Sequence, residues 1–260
     1  MAQVDNLLSG ARHADLIGLP LNRMVTVHWQ AADIPLDKMT KATGRFTDLL
    51  TKALARHGSG TAWIWVHENA EGHDKGGHLH LLVHVPARLV RMVTGLQKRW
   101  LGSITGKPYR ARVIHSRPIG GRLGLETANP DLHAINLDVA LEYLLKGADE
   151  DAATKFNLKR LQPGGRIIGK RCGTSENIAN KARKSACLIA DDRATGSASR
   201  HLDAATRGAR GNPLPPNNEP TGRETTFFEQ VQAHARANFA DWTKELQAWY
   251  TDIVQEGPNQ

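Results

Sequence analysis

Two cysteines in 260 residues, Cys172 and Cys187, are too few for a disulfide framework or a cysteine-built zinc site. A reducing, cytoplasmic setting is the expectation that follows. No apolar run approaches the ~20 residues that span a bilayer. Arg12, His13 and Asp15 sit where a secretory leader needs its apolar core, so export is not expected either. No internal repeat is evident. Acidic residues are in short supply: 26 Asp and Glu face 34 Lys and Arg, for a net charge of +8. That imbalance points to a polyanionic partner, either nucleic acid or an anionic membrane surface. The basic residues do not lie along one amphipathic helix, which disfavours the membrane.

The positive charge is concentrated. Lys155 to Arg210 holds 13 Lys and Arg against 4 Asp and Glu, so the rest of the chain is close to neutral. Within it, Gly165 to Arg183 (GRIIGKRCGTSENIANKAR) reads as a DNA-backbone contact. Lys170 and Arg171 lead its candidates, with Arg166, Lys181 and Arg183 beside them. Trp63, Trp65 and Trp100 offer rings for stacking on single-stranded bases, although the first two fit a core better.

Hydrophobic spacing predicts the elements. Arg23 to Gln30 reads as a strand, Asp37 to His57 as a helix, Thr61 to Glu68 as a strand, and His78 to Val85 as a strand stopped by Pro86. A polar turn, Asn69 to Gly77, makes the last two an antiparallel hairpin. A helix over Ala87 to Leu101, a short strand over Tyr109 to Ser116 and a helix over Asp138 to Lys146 follow. Asp138 serves as N-cap of that helix and Gly147 as its stop. The order β-α-β-β-α-β-α predicts an α+β, ferredoxin-like domain with a mainly antiparallel central sheet and helices on one face. The expected organisation is a main domain over 1–188, a Pro/Gly-rich flexible linker over 189–222 and a C-terminal amphipathic helix over 223–260. The apolar stripe of that helix, from Phe228 to Ile253, fits packing on the main domain and a homodimer contact equally well.

Strand alternation places His78, His80, Leu82 and His84 on one face of HLHLLVHV, and Leu79, Leu81, Val83 and Val85 on the other. The second face is wholly apolar and belongs against helices. On the first, His78 and His80 are about 6.5–7 Å apart along the strand and can converge on one divalent metal with a third ligand from the neighbouring strand. That neighbour ends in His67-Glu68. Glu68 is the preferred ligand and His67 the rival, because adjacent strand residues point to opposite faces. Further on, Tyr143 and Lys146 are three apart and project together from a helix. A phenol with a free pKa near about 10 becomes a competent nucleophile beside a polarised phosphate and an ammonium.

In order along the chain, MVTVHWQ, WVHEN with HLHLLVHVP, and EYLLKG resemble the motifs of the HUH endonuclease superfamily, in particular its rolling-circle replication initiators of plasmids and phages. The likeness runs from about Leu21 to Gly147. It implies a metal-dependent enzyme that nicks single-stranded origin DNA through a 5′-phosphotyrosine and later rejoins it. Carried over, Tyr143 is the nucleophile, Lys146 assists, His78, His80 and Glu68 hold magnesium or manganese, and one tyrosine suffices. No Gly-rich helicase loop is present, since Gly169-Lys170-Arg171 is not one, so a host helicase and polymerase are implied partners. A relaxase fits less well, because Tyr143 follows the histidines and His84 does not complete a third position. A transposase, or a DNA-binding protein without chemistry, stays open on the same fold.

Overall fold

Apolar and polar residues alternate through RMVTVH and GGHLHLLV, and both segments are central strands of a sheet with two chemically different faces. A computed structural model describes residues 1–70, 76–119 and 130–186. Its strands are β1 (Arg23–His28), β2 (Trp63–Ala70), β3 (Gly76–Val83), β4 (Ile114–Pro118) and β5 (Cys172–Thr174). They form one antiparallel sheet in the order β4-β1-β3-β2-β5. The first four strands, with α2 (Leu36–Ala55) between β1 and β2 and α3 (Val90–Thr105) between β3 and β4, make the expected α+β, ferredoxin-like unit. β5 extends it along the outer edge of β2.

The apolar face of the sheet carries Val25, Val27, Trp65, Leu79, Leu81 and Val83. It packs against Met39, Phe46, Leu50 and Leu54 of α2 and Val93, Trp100 and Leu101 of α3. Each large side chain fully buried there contributes about 1.5–3 kcal/mol. Gly77 sits where this layer is tightest: a Cβ there would lie 2.6 Å from Leu36 Cδ2, so the first turn of α2 closes directly onto the start of β3.

The opposite face is also covered. α1 (Ala2–Leu16) lays Val4, Leu7, Ala11 and Ala14 on it, and α4 (Pro130–Leu144) adds Ala140, Leu141, Tyr143 and Leu144. The expected single layer is therefore α2 and α3, and α1 and α4 form a second layer that the sequence did not announce. α1 is built on small residues at helical spacing, which is a weak signal. α4 begins eight residues before the expected start, with Pro130 at the first helical position, where its missing N–H costs nothing. Asp138 is consequently inside the helix and is not its N-cap. The helix is apolar on nearly every side, so periodicity understates it.

Smaller differences have local causes. β2 and β3 run into the predicted turn, to Ala70 and from Gly76. β4 starts later than Tyr109 because Arg112 takes a left-handed conformation (φ 66°) just before it. Helix α3 is preceded by a 3-10 turn over Ala87–Leu89 and runs on to Thr105. Part of the basic segment is β5 itself, followed by a 3-10 turn at Glu176–Ile178. The linker and the C-terminal helix expected over 189–260 lie outside the described residues, as does Cys187. Among the described residues no helix is long and apolar enough to cross a membrane.

The loop before β5 is anchored on the end of β2. The Asn69 amide donates to the Gly164 carbonyl at 2.9 Å, and the Asn69 side chain donates to the Arg166 carbonyl at 3.0 Å. Gly165 has φ 65°, and a Cβ there would overlap the Asn69 carbonyl oxygen. Gly165→Ala is expected to lower the unfolding free energy by about 1–3 kcal/mol, read as a lower urea midpoint. An unchanged midpoint would mean that this loop is not held against β2.

Candidate metal centre

Register decides which side chains meet. In the β2–β3 ladder Glu68 lies opposite His78 and Val66 opposite His80. In the β1–β3 ladder Thr26 lies opposite His80 and His28 opposite His78. Directly paired residues point to the same side, so Glu68, His78, His80, Thr26 and His28 share one face. The Glu68 Oε2 atom is 3.4 Å from His78 Nε2 and 3.6 Å from His80 Nε2. These groups are buried, at 4% exposure for Glu68, 6% for His78 and 2% for His80.

The far nitrogens of both rings are held. His78 Nδ1 is 3.0 Å from the Gly76 carbonyl, which can only accept, so the hydrogen of a neutral ring sits on Nδ1 and leaves the Nε2 lone pair facing Glu68. His80 Nδ1 is 3.0 Å from Thr26 Oγ1, a hydrogen bond that orients that ring. Glu68 Oε1 is buried with no hydrogen-bond partner. One atom from each of Glu68, His78 and His80 lies within 4.8 Å of the others. An orphaned carboxylate oxygen beside two oriented imidazole rings is the donor set of a divalent-cation site, and this group can hold a metal ion.

Tyr143 and Lys146 reach the same place from α4. Tyr143 is in the last turn of the helix, and Lys146 stands in the turn just past its end. The Tyr143 hydroxyl is 3.4 Å from His80 Nε2. Lys146 Nζ is 2.9 Å from Glu68 Oε2 and 3.8 Å from the centre of the Tyr143 ring. The electrostatics are tightly coupled. Burial would raise the Glu68 carboxyl, but His80, His78 and Lys146 hold it well below the usual carboxylate range. Burial pushes His80 down to about 4 against the pull of Glu68, and it lowers the Lys146 ammonium against the same pull. Burial, and then the Glu68 carboxylate, push the Tyr143 phenol up. The centre thus sets one carboxylate against one ammonium, beside a neutral His80 ring and a neutral phenol.

His67, the rival ligand, points to the other face. Trp29 Nε1 donates to Thr43 Oγ1 at 2.9 Å, Thr43 Oγ1 is 2.8 Å from His67 Nε2, and His67 Nδ1 donates to the Lys170 carbonyl at 3.0 Å. One tautomer satisfies the whole chain of bonds, so His67 is a structural residue that ties β2 to α2 and to the segment before β5. His84 is beyond the end of β3, where its Nδ1 donates to the Pro20 carbonyl at 2.8 Å. His28 had no assigned role from sequence. It is buried and stacks on His78 at 5.4 Å between ring centres, and the alternation of MVTVH already placed it beside Thr26.

The five basic candidates separate. The Arg171 guanidinium donates to the Gly164 and Gly165 carbonyls, and that of Arg183 donates to Asn6 Oδ1 and the Ile178 carbonyl. Both are used to hold the fold. Arg166, Lys170 and Lys181 are exposed, with Lys170 Nζ 5.9 Å from the Trp65 ring. Trp65 and Trp100 are core residues, so Trp100 is not a base-stacking platform; its ring packs edge-on against Phe46. Trp63 is partly buried against the same core.

No protein-family model matches the chain, and no curated protein or solved structure matches it significantly. The inferences that follow rest on the residues and their geometry.

Two measurements test this site. In calorimetric titration with Mn²⁺, one ion is expected per chain. Glu68→Gln and His80→Ala should each abolish binding, Thr26→Val should weaken it about 10-fold, and His67→Gln should leave it intact. Undiminished affinity in Glu68→Gln would remove the carboxylate from the ligand set. The second concerns pH. Burial holds His67 at about 4 in the folded chain, whereas an unfolded histidine titrates near about 6.5. Below that value the unfolded chain takes up a proton that the folded chain refuses. Stability should therefore fall as pH drops from about 6.5 toward 4, by up to about 3 kcal/mol from this residue. His80 adds a contribution of the same sign when chelator is present. His67→Gln should flatten the slope, and an unchanged slope would place the proton uptake elsewhere.

Proposed function

We propose that this chain is a divalent-metal-dependent enzyme that nicks and rejoins single-stranded DNA, and that it acts as a replication initiator of the HUH endonuclease type. The observation that carries this reading is the convergence of Tyr143 and Lys146 on the Glu68–His78–His80 group, from an element that is distant in sequence. A metal group of structural purpose has no need of a phenol hydroxyl 3.4 Å from a ligand nitrogen.

A magnesium or manganese ion in that group supplies Lewis-acid polarisation of the scissile phosphate. The chain's own residues supply the rest. Tyr143 Oη attacks the phosphorus; a P–O bond to tyrosine forms and the bond to the 3′ oxygen breaks. The phenol gives up its proton, and the departing 3′ oxygen gains one to become a free hydroxyl. The product is a 5′-phosphotyrosine, and joining is the reverse attack by a 3′-hydroxyl. Lys146 holds Glu68 in place and sets positive charge against the ring that must become a phenolate. Burial of Tyr143 keeps the phenol neutral until charge at the site changes.

The proposed substrate is single-stranded origin DNA, with a host helicase opening it and a host polymerase extending the free 3′ end. Magnesium and manganese suit a carboxylate-bearing site that works on phosphate oxygens. The direct test uses a randomised single-stranded 60-mer pool labelled at the 3′ end, with Mn²⁺. A detergent-resistant protein–DNA adduct is expected, lost in Tyr143→Phe and with chelator, and reduced at least about 100-fold in Lys146→Met. Adduct formation retained in Tyr143→Phe would overturn the role of that residue. Metal-independent binding with no adduct would favour a DNA-binding protein without chemistry.

A further inference from the structure

A phenol attacking a phosphodiester needs positive charge on the non-bridging oxygens as well as at the nucleophile. Three of the cations already described do not supply it freely. Lys146 Nζ is in a buried ion pair with Glu68 at 2.9 Å, and the Arg171 and Arg183 guanidiniums are bonded within the fold. One other cation stands beside the nucleophile. The Arg160 guanidinium carbon is 5.3 Å from the centre of the Tyr143 ring, and the residue is exposed. Among the described residues Arg160 has no ion pair and no side-chain hydrogen bond.

Its place is set by the backbone around it. Asn157, at φ 52°, ends α5 (Glu150–Phe156) and turns the chain back. The Leu158 amide donates to the Ala153 carbonyl at 2.9 Å, and the Gln162 amide donates to the Lys146 carbonyl at 2.7 Å. Arg160 therefore lies on a short return that is pinned on both sides, and its second pin is the backbone of Lys146. A guanidinium lying near an aromatic ring keeps its N–H fork available, and that planar fork matches two oxygens of one phosphate. An exposed arginine held over the proposed nucleophile, with no acid paired to it among the described residues, is arranged to meet an anion arriving from solvent.

We propose that Arg160 is the phosphate-binding residue of this site, gripping the phosphodiester that Tyr143 attacks or the one next to it. The proposal rests on the nicking reading for the identity of its ligand.

The test has two arms. In the first, adduct formation with the 3′-labelled pool and Mn²⁺ is compared among wild type, Arg160→Ala, Arg160→Lys and Tyr143→Phe. Arg160→Ala should slow it by about 10- to 100-fold, and Arg160→Lys should recover part of the loss by keeping the charge without the fork. In the second, binding of a fluorescent dT 20-mer is followed against salt without metal. Losing one phosphate contact should make the slope of log affinity against log salt shallower by about 0.7 in Arg160→Ala, with Arg160→Lys close to wild type. A purely structural residue would not move that slope. Unchanged adduct rate and slope in Arg160→Ala, with the adduct lost in Tyr143→Phe, would overturn the role of Arg160 and leave the nicking reading standing. No adduct from wild type would overturn the nicking reading, and the salt slope would then decide alone: a shallower slope keeps Arg160 as a phosphate contact, and an unchanged one removes it.

Discussion

A carboxylate at 4% exposure cannot stand alone in an apolar layer, and the organisation of this molecule around Glu68 answers that cost. Its charge is met by Lys146 at 2.9 Å and by two imidazoles at 3.4 and 3.6 Å. Each partner arrives on a different piece of chain: the histidines on the next strand, the lysine just beyond α4. Shifting β3 by one residue against β2 would turn Leu79 toward Glu68 and both histidines into the α2–α3 layer. The alternation that makes the scaffold face apolar is therefore the same constraint that assembles the metal group.

The two faces divide the labour. The α2–α3 side is apolar and closely packed, and the buried hydrogen-bonded chain Trp29–Thr43–His67–Lys170 carbonyl is satisfied along its length. That chain locks β2 in place from behind. The α1–α4 side carries unsatisfied polarity, most clearly at Glu68 Oε1. Native interiors rarely leave such an atom without a purpose. A closely packed face that supports a polar one is the arrangement by which a fold holds ligating side chains in geometry.

What could be read from sequence follows from the range of the information. Strand periodicity is local, so HLHLLVHV disclosed its metal face and its core face, and the βαββαβ order was legible for the same reason. The choice between His67 and Glu68 was not, because it depends on which face of β2 matches which face of β3, and that register belongs to two segments together. α4 was underestimated because a helix buried on nearly all sides loses its amphipathic contrast. Arg171 and Arg183 read as free charges in the sequence, whereas their guanidiniums satisfy backbone and side-chain oxygens, a use that composition cannot distinguish from a solvated face. Arg160 went unmarked in the same basic stretch. Its nearness to Tyr143 is created by a chain reversal at Asn157, and no spacing rule connects positions 143 and 160.

The ion pair between Lys146 and Glu68 also sets the charge around the proposed nucleophile. With the carboxylate paired to an ammonium, the buried phenol keeps its proton. On the proposed reading, a divalent ion held by Glu68, His78 and His80 would supply positive charge that Lys146, already paired, does not provide in excess. Lys146 has two roles in this scheme. One is the countercharge that makes a buried Glu68 tolerable; the other, 3.8 Å from the centre of the Tyr143 ring, is that of a cation over the ring that must carry negative charge. Methionine at 146 would match the length but serve neither role, so the loss there should appear in resting stability as well as in turnover. Arginine would keep the charge yet bring a wider head group into a space shaped by a single ammonium.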